Sequence, residues 1–366
     1  MVYFKNLNGI RFLAAFLVII HHIEQMKNAF NLESFWEYLP IQIIGRLGVV
    51  LFFCLSGFLI TYLLLEEKKV VKNIDVRKFY MRRVLRIWPL YFLIIILAFS
   101  VFPFFEIFSM PGFDVKTIYS NCFAKLMLFL FFLPNMVLNV YGVIPYASQL
   151  WSIGAEEQFY LIWPIILKYT KSSILAIGAL FCFYHIGRLF TSWFTPSIYT
   201  SYVSTYLETI PINCMLIGSA FAFFSREYKT SKLFYFFINK YVQFVVIIIT
   251  FLFIIFHLNL GYFTNDIFSL LFSLIIFNCV FHETSVIKFE NKTLNFLGKT
   301  SYGLYMFHSI AIVIGIKLKI KYGFNNVILY IIILTMSILM ATVSYYYFEK
   351  WFMKFKGKFT IIKSLI

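Results

Sequence analysis

The sequence predicts an all-α, polytopic membrane bundle, and three observations carry that expectation. Hydrophobic residues make up 61% of the 366-residue chain and charged residues 13%, against ~25% charged in an ordinary soluble domain. Aromatic residues reach 22%, with 48 Phe and 25 Tyr, more apolar surface than a soluble globule of this length can hide. The apolar residues also fall into eleven runs of roughly span length, near 8–25, 42–65, 80–103, 122–140, 150–168, 172–194, 204–225, 239–258, 262–282, 295–317 and 326–348.

Taken in order, the first run is interrupted by Arg11 and lacks a small-x-small cleavage site, so residues 1–25 are expected to stay as the first span. The basic stretch 66–83 that follows the second run should face the cytoplasm, as should 226–240, 283–299 and the tail 350–363. Counting back from a cytoplasmic tail puts loop 195–203 outside and Lys168 and Lys171 inside, so run 150–168 enters from outside. Counting forward, run 80–103 also exits to the outside, so 122–140 should be re-entrant or packed as a hairpin. The expectation is about ten transmembrane helices plus that re-entrant segment, both termini cytoplasmic, at odds only with Lys317, Lys319 and Lys321, which would lie outside. A single integral domain over residues 1–366 with no fused soluble domain is expected.

The formal charge of +16 arises from 32 basic and 16 acidic residues clustered between apolar runs. That placement suits positive-inside topology and anionic lipid, and argues against nucleic acid. Five cysteines (Cys54, Cys122, Cys182, Cys214, Cys279) stand singly without CxxC or Cys/His spacing, so neither a disulfide framework nor a metal site is expected. No GxSxG, HExxH, P-loop or GxGxxG occurs, which takes support from the hydrolase, zinc-protease and nucleotide-driven pump classes.

Ionisable residues inside apolar runs are costly and are usually paired and functional. In NLNGIRFLAAFLVIIHH (6–22), Arg11 and His22 are eleven residues apart, which returns them to within ~20° of one helix face, ~16 Å apart along the axis. Arg11 alone also fits an interfacial anchor, and His22 a buried polar residue; His21 points ~80° away and reads as structural. In GVVLFFCLSGFLI (48–60), Gly48, Ser56 and Gly57 allow close approach of a helix or ligand. In RKFYMRRVLRIWPLYFL (77–93), Arg82 and Arg86 at i,i+4 and Arg83 and Arg86 at i,i+3 share a face. Such forks suit phosphate, and equally a positive-inside stop. In QLWSIGAEEQFYLIWPIIL (149–167), Ser152 and Glu156 at i,i+4 are spaced to bond and Glu157 adds a second carboxylate, with a structural cap as the alternative. In LNFLGKTSYGLYMFHSIAI (294–312), Tyr305 and His308 are i,i+3 neighbours, with a core histidine the alternative.

In this order the five islands resemble the acyltransferase-3 family of membrane acyltransferases, from residue 6 to about 310. The family's Arg-x10-His motif falls on Arg11 and His22, its Arg-x-x-Arg on Arg83 and Arg86, and its Trp-Ser-x-x-x-Glu on Trp151, Ser152 and Glu156. Two departures are Val50, where a polar residue often precedes Leu-Phe-Phe, and Gln149, where Pro is common. The resemblance implies a ten-span fold in a bacterial inner membrane and O-acylation of a surface or exported carbohydrate or glycolipid. It implies acyl-CoA, commonly acetyl-CoA, as donor substrate with no permanently bound cofactor. It assigns His22, Arg11 and Glu156 to catalysis and Arg83 and Arg86 to the donor. Trp151, Ser152, Glu157, Tyr305 and His308 stand in support. The alternative is a carbohydrate or proton-coupled transporter or exporter, since intramembrane Arg, His and Glu also fit a proton path; a non-catalytic scaffold is a third.

Overall fold

The computed structural model describes residues 4–193, 198–281 and 283–362; the start of the expected loop 195–203 and residue 363 of the tail lie outside the described residues. Three long helices open the chain: α1 (Leu7–Ala29), α2 (Leu39–Val71) and α3 (Val76–Ser100). Three short ones follow, α4 (Val115–Tyr119), α5 (Cys122–Leu130) and α6 (Pro134–Tyr141). Then come α7 (Leu150–Tyr169), α8 (Ser173–Trp193), α9 (Ile198–Thr209), α10 (Ile212–Glu227), α11 (Lys232–Phe237), α12 (Lys240–Ile255) and α13 (Thr264–Val280). The chain closes with α14 (Lys292–Lys299), α15 (Ser301–Tyr322), α16 (Asn326–Val343) and α17 (Lys350–Met353). No β-strand occurs among the described residues.

Seven helical segments among the described residues are long and apolar enough to cross a membrane, and α9 with α10, bent by 42°, makes an eighth if counted as one broken span. Length and apolarity alone therefore do not reach the expected ten. The difference lies in α7, whose Glu156, Glu157 and Gln158 dilute it, and α12, whose 16 residues span only ~24 Å of a ~30 Å hydrocarbon core. Segment 122–140 divides at residues 131–133 into α5 and α6, each ~12–14 Å long and too short to cross. The backbone at that break is satisfied from α7: Gln158 Nε2 donates to Phe132 O at 2.7 Å and to Asn135 Oδ1 at 3.1 Å, as broken backbone at membrane depth requires. The expected run 295–317 is corrected to begin at Ser301, because α14 breaks off at Thr300 and packs on α1, where Asn8 Nδ2 donates to Asn295 Oδ1 at 3.3 Å. Lys317, one of the discordant lysines, is tied by Glu106 O and Ser109 Oγ, and Lys319 by Phe324 O at 2.7 Å.

The bundle is built around α2, which packs closely on α1 and α10. A Cβ at Gly57 would stand 1.9 Å from Met215 O, and one at Gly218 2.2 Å from Cys54 O, so the two backbones touch, as small residues between membrane helices allow. Beside that contact, Trp163 Nε1 donates to Thr61 Oγ1 at 2.7 Å and Thr61 Oγ1 to Ser219 Oγ at 2.8 Å, tying α7, α2 and α10 together. Gly57→Val is expected to force these helices apart and destabilise the fold by ~1–3 kcal/mol or more. A drop in thermal stability of the detergent-solubilised protein checks this, and an unchanged melting temperature contradicts it.

Several charges inside the bundle are partnered. The buried Lys27 and Glu24 pair at 2.9 Å, and Glu24 also accepts from Phe35 N and Tyr330 OH, which pins the 30–38 loop and α16 to α1. At the opposite end of α2, Asp75 caps α3 by accepting from Lys78 N at 3.0 Å, a bond that holds its carboxyl below the usual range. Large apolar side chains such as Leu161, Phe183, Phe251 and Ile331 remain exposed on outer helix faces, the surface a lipid environment covers.

Candidate active site

Helices α1, α2, α3, α7 and α15, with the 3-10 turn Lys354–Phe359, surround an open cavity. Four cations line it: Arg11 from α1, Arg83 and Arg86 from α3, and Lys356 from the turn. The carboxylate on its wall is Glu156 of α7. Arg83 and Arg86 reach the cavity together because they are one turn apart. Arg82, expected to share their face, turns away instead: its Nη2 donates to Glu67 Oε2 at 3.3 Å and its Nη1 to Phe359 O at 2.6 Å.

Glu156 is satisfied by neutral donors. Ser56 Oγ donates to Oε1 at 2.6 Å and Tyr160 OH to Oε2 at 2.8 Å. The guanidinium of Arg83 lies 5.5 Å from the Phe79 ring centroid and 5.6 Å from that of Tyr160, and its buried Nε has no hydrogen-bond partner. Among the described residues, Arg11, Arg83, Arg86 and Lys356 make no ion pair. Clustered cations without carboxylate partners, in a cleft walled by apolar side chains, are chemically suited to an anion, and guanidinium to phosphate above all.

Two expectations are corrected here. Ser152 does not bond Glu156 despite the i,i+4 spacing; it bonds Tyr305 OH at 2.7 Å and donates to Gln149 O at 3.3 Å. Both oxygens of Glu156 are held on the cavity wall. Trp151 packs edge-on against Phe53 at 6.0 Å rather than lining the cavity. Glu157 faces α3, where Trp88 Nε1 donates to it at 2.9 Å and its second oxygen is buried without a partner. The departure at Gln149 acquires a purpose: its Nε2 donates to Met306 O at 3.2 Å and Ser309 Oγ at 3.1 Å, fastening the start of α7 to α15.

His22 is not on this cavity's wall; it sits beyond Tyr305, paired with His308. His308 Nε2 is 3.1 Å from His22 Nδ1, and the rings are 4.9 Å apart. Their tautomers follow from their partners. His308 Nδ1 lies 2.6 Å from Tyr305 O, and a carbonyl only accepts, so Nδ1 carries the proton and the neutral ring's Nε2 is an acceptor. His22 Nδ1 lies 3.0 Å from Val18 O and also faces that acceptor, so it too is protonated. The lone pair of His22 is thereby placed on Nε2. His308 holds His22, and Tyr305, whose side chain lines the cavity while its carbonyl fixes His308, connects the two regions. His21 bonds Ile41 O at 2.9 Å and packs on Trp36, a structural role as expected.

Sequence reasoning missed Tyr160 and Lys356 and took Ser56 for a packing residue. Tyr160 stands four residues after Glu156 and was within reach of a helix-face argument. Lys356 lies among Lys354 and Lys358 in a tail of alternating basic residues, where no local signal distinguishes it.

A family model described as an acyltransferase domain matches residues 4–346. Among relatives, a chain of Staphylococcus aureus strain COL, provisionally named an O-acetyltransferase, is 27% identical over 97% of this chain and 58% of its own length. The O-acetyltransferase OatA of S. aureus strain NCTC 8325 is 26% identical over 95% of this chain and 57% of its own length. The chain thus spans little more than half the length of these curated relatives. No solved structure matches it. With nearly all its length covered by that model, the chain belongs to the acyltransferase-3 family.

Proposed function

We propose that the chain is a membrane O-acyltransferase that moves an acyl group, acetyl in the simplest case, from cytoplasmic acyl-CoA to a hydroxyl of a surface or exported carbohydrate. The observation that carries this reading is the cavity of four cations around Glu156, linked through Tyr305 to the paired imidazoles of His308 and His22. The family and the names of the relatives support the acyl, and specifically acetyl, chemistry. The setting that goes with it is a bacterial inner membrane with both termini inside.

Arg83, Arg86 and Arg11 receive the phosphates of the donor, and the pantetheine arm runs along the bundle toward His22, ~16 Å further along α1 by helix rise. His22 Nε2 takes the proton of the acceptor hydroxyl as the oxygen attacks the thioester carbonyl. The carbon–sulfur bond then breaks and the CoA sulfur leaves with that proton, returning the imidazole to neutrality. His308 positions the base by fixing its tautomer and spreads the transient positive charge, as a second group behind a catalytic histidine does. Glu156 balances the guanidinium cluster and presents Ser56 and Tyr160 on the wall. Exchange of acetyl-CoA for free CoA thiol by membranes carrying the chain, dependent on a glycan acceptor, is the expected result. A transporter, which would use the same line of polar groups for protons, releases no thiol.

A further inference from the structure

We propose that the segment after α16 is a working part of the donor site, with Lys356 supplying a fourth phosphate-binding cation. This rests on the acyl-CoA reading above. The matched family domain ends at residue 346, whereas this segment continues past it and returns to the cavity. Beyond α16 the chain passes through a π-helix, Ser344–Glu349, in which Ser344 Oγ donates to Glu349 Oε1 at 3.0 Å. Such wide turns recur at functional sites.

The segment is then latched to α3 and α2. Arg82 Nη1 donates to Phe359 O at 2.6 Å while its Nη2 holds Glu67, and Glu67 Oε1 accepts from Asp75 N at 2.7 Å. The latch directs one lysine of three inward: Lys354 and Lys358 are exposed, whereas Lys356 is half-buried on the cavity wall. Lys356 shares the cavity wall with Arg11, Arg83 and Arg86 and with the carboxylate of Glu156, whose oxygens are already held by Ser56 and Tyr160. A lysine used merely for packing would not be driven among like charges, whose mutual repulsion in a poorly solvated cleft is unfavourable. A ligand with several phosphates, as acyl-CoA has in its pyrophosphate and ribose phosphate, converts that repulsion into affinity.

The test is equilibrium binding of CoA, adenosine 3′,5′-bisphosphate and pantetheine to the purified full chain. Lys356→Gln is expected to weaken CoA and the bisphosphate alike by about tenfold, the order of one charge-assisted contact, and to leave pantetheine unchanged. Lys356→Arg should retain the affinity, and Lys358→Gln, removing an exposed charge from the same turn, should not alter it. A rise in thermal stability of Lys356→Gln, from relief of repulsion, should accompany the weaker binding. Wild-type CoA affinity in Lys356→Gln overturns the inference while leaving the acyl-CoA reading intact; absence of CoA binding by the wild type overturns both.

Discussion

His22→Ala is expected to abolish acyl transfer while the protein remains folded and inserted. The lone pair of His22 Nε2 is the one the hydrogen bonds leave available, since Nδ1 is committed to Val18 O and His308 Nε2. A positioned base contributes ~10²–10⁴-fold, so the residual rate should fall below ~1% of wild type. The structural cost is small by comparison. Removing the ring leaves His308 Nε2 without a partner, ~1–3 kcal/mol, within the ~5–15 kcal/mol that sustains a typical fold. Transfer of radiolabelled acetyl from acetyl-CoA, measured beside membrane abundance and thermal stability, checks both halves. Full transfer in the variant removes the assignment.

Arg83→Gln with Arg86→Gln should give the second large effect, on donor affinity rather than on the base. Both guanidinium groups line the cavity and neither is neutralised by a carboxylate within ion-pair distance. Each charge-assisted bond to phosphate is worth ~1.5–3 kcal/mol, so CoA binding should weaken by about a hundredfold or more. Arg77→Gln, which removes an exposed charge from the same helix, should bind as wild type. If the double variant and Arg77→Gln behave alike, the arginines serve only as a topological stop.

Much of the fold could be read before any coordinates. Apolar runs located the long helices, and counting basic loops singled out 122–140 as a segment that does not cross; the structure makes it two short helices. The break at Thr300 escaped because Leu294, Phe296 and Leu297 pass for the head of the apolar run, whereas they belong to a separate short helix, α14, that packs on α1 across nearly the whole chain. The site was legible by residue but not by pairing. Helical spacing permits Ser152 to meet Glu156, yet each found a better donor or partner on another helix, Tyr305 of α15 and Ser56 of α2. The link between Arg11 and His22 likewise runs through α15, not along the face they share on α1. Partners a hundred or more residues away are chosen by packing, which periodicity does not encode.

The most direct measurement uses inverted membrane vesicles from cells expressing the chain, supplied with acetyl-CoA labelled in the acetyl group. Free thiol and labelled glycan should appear together in equal amounts, and His22→Ala and the Arg83, Arg86 double variant should each remove both. Labelled glycan at wild-type levels in either variant, or carbohydrate movement without thiol release, contradicts a donor site and a histidine base joined across one bundle.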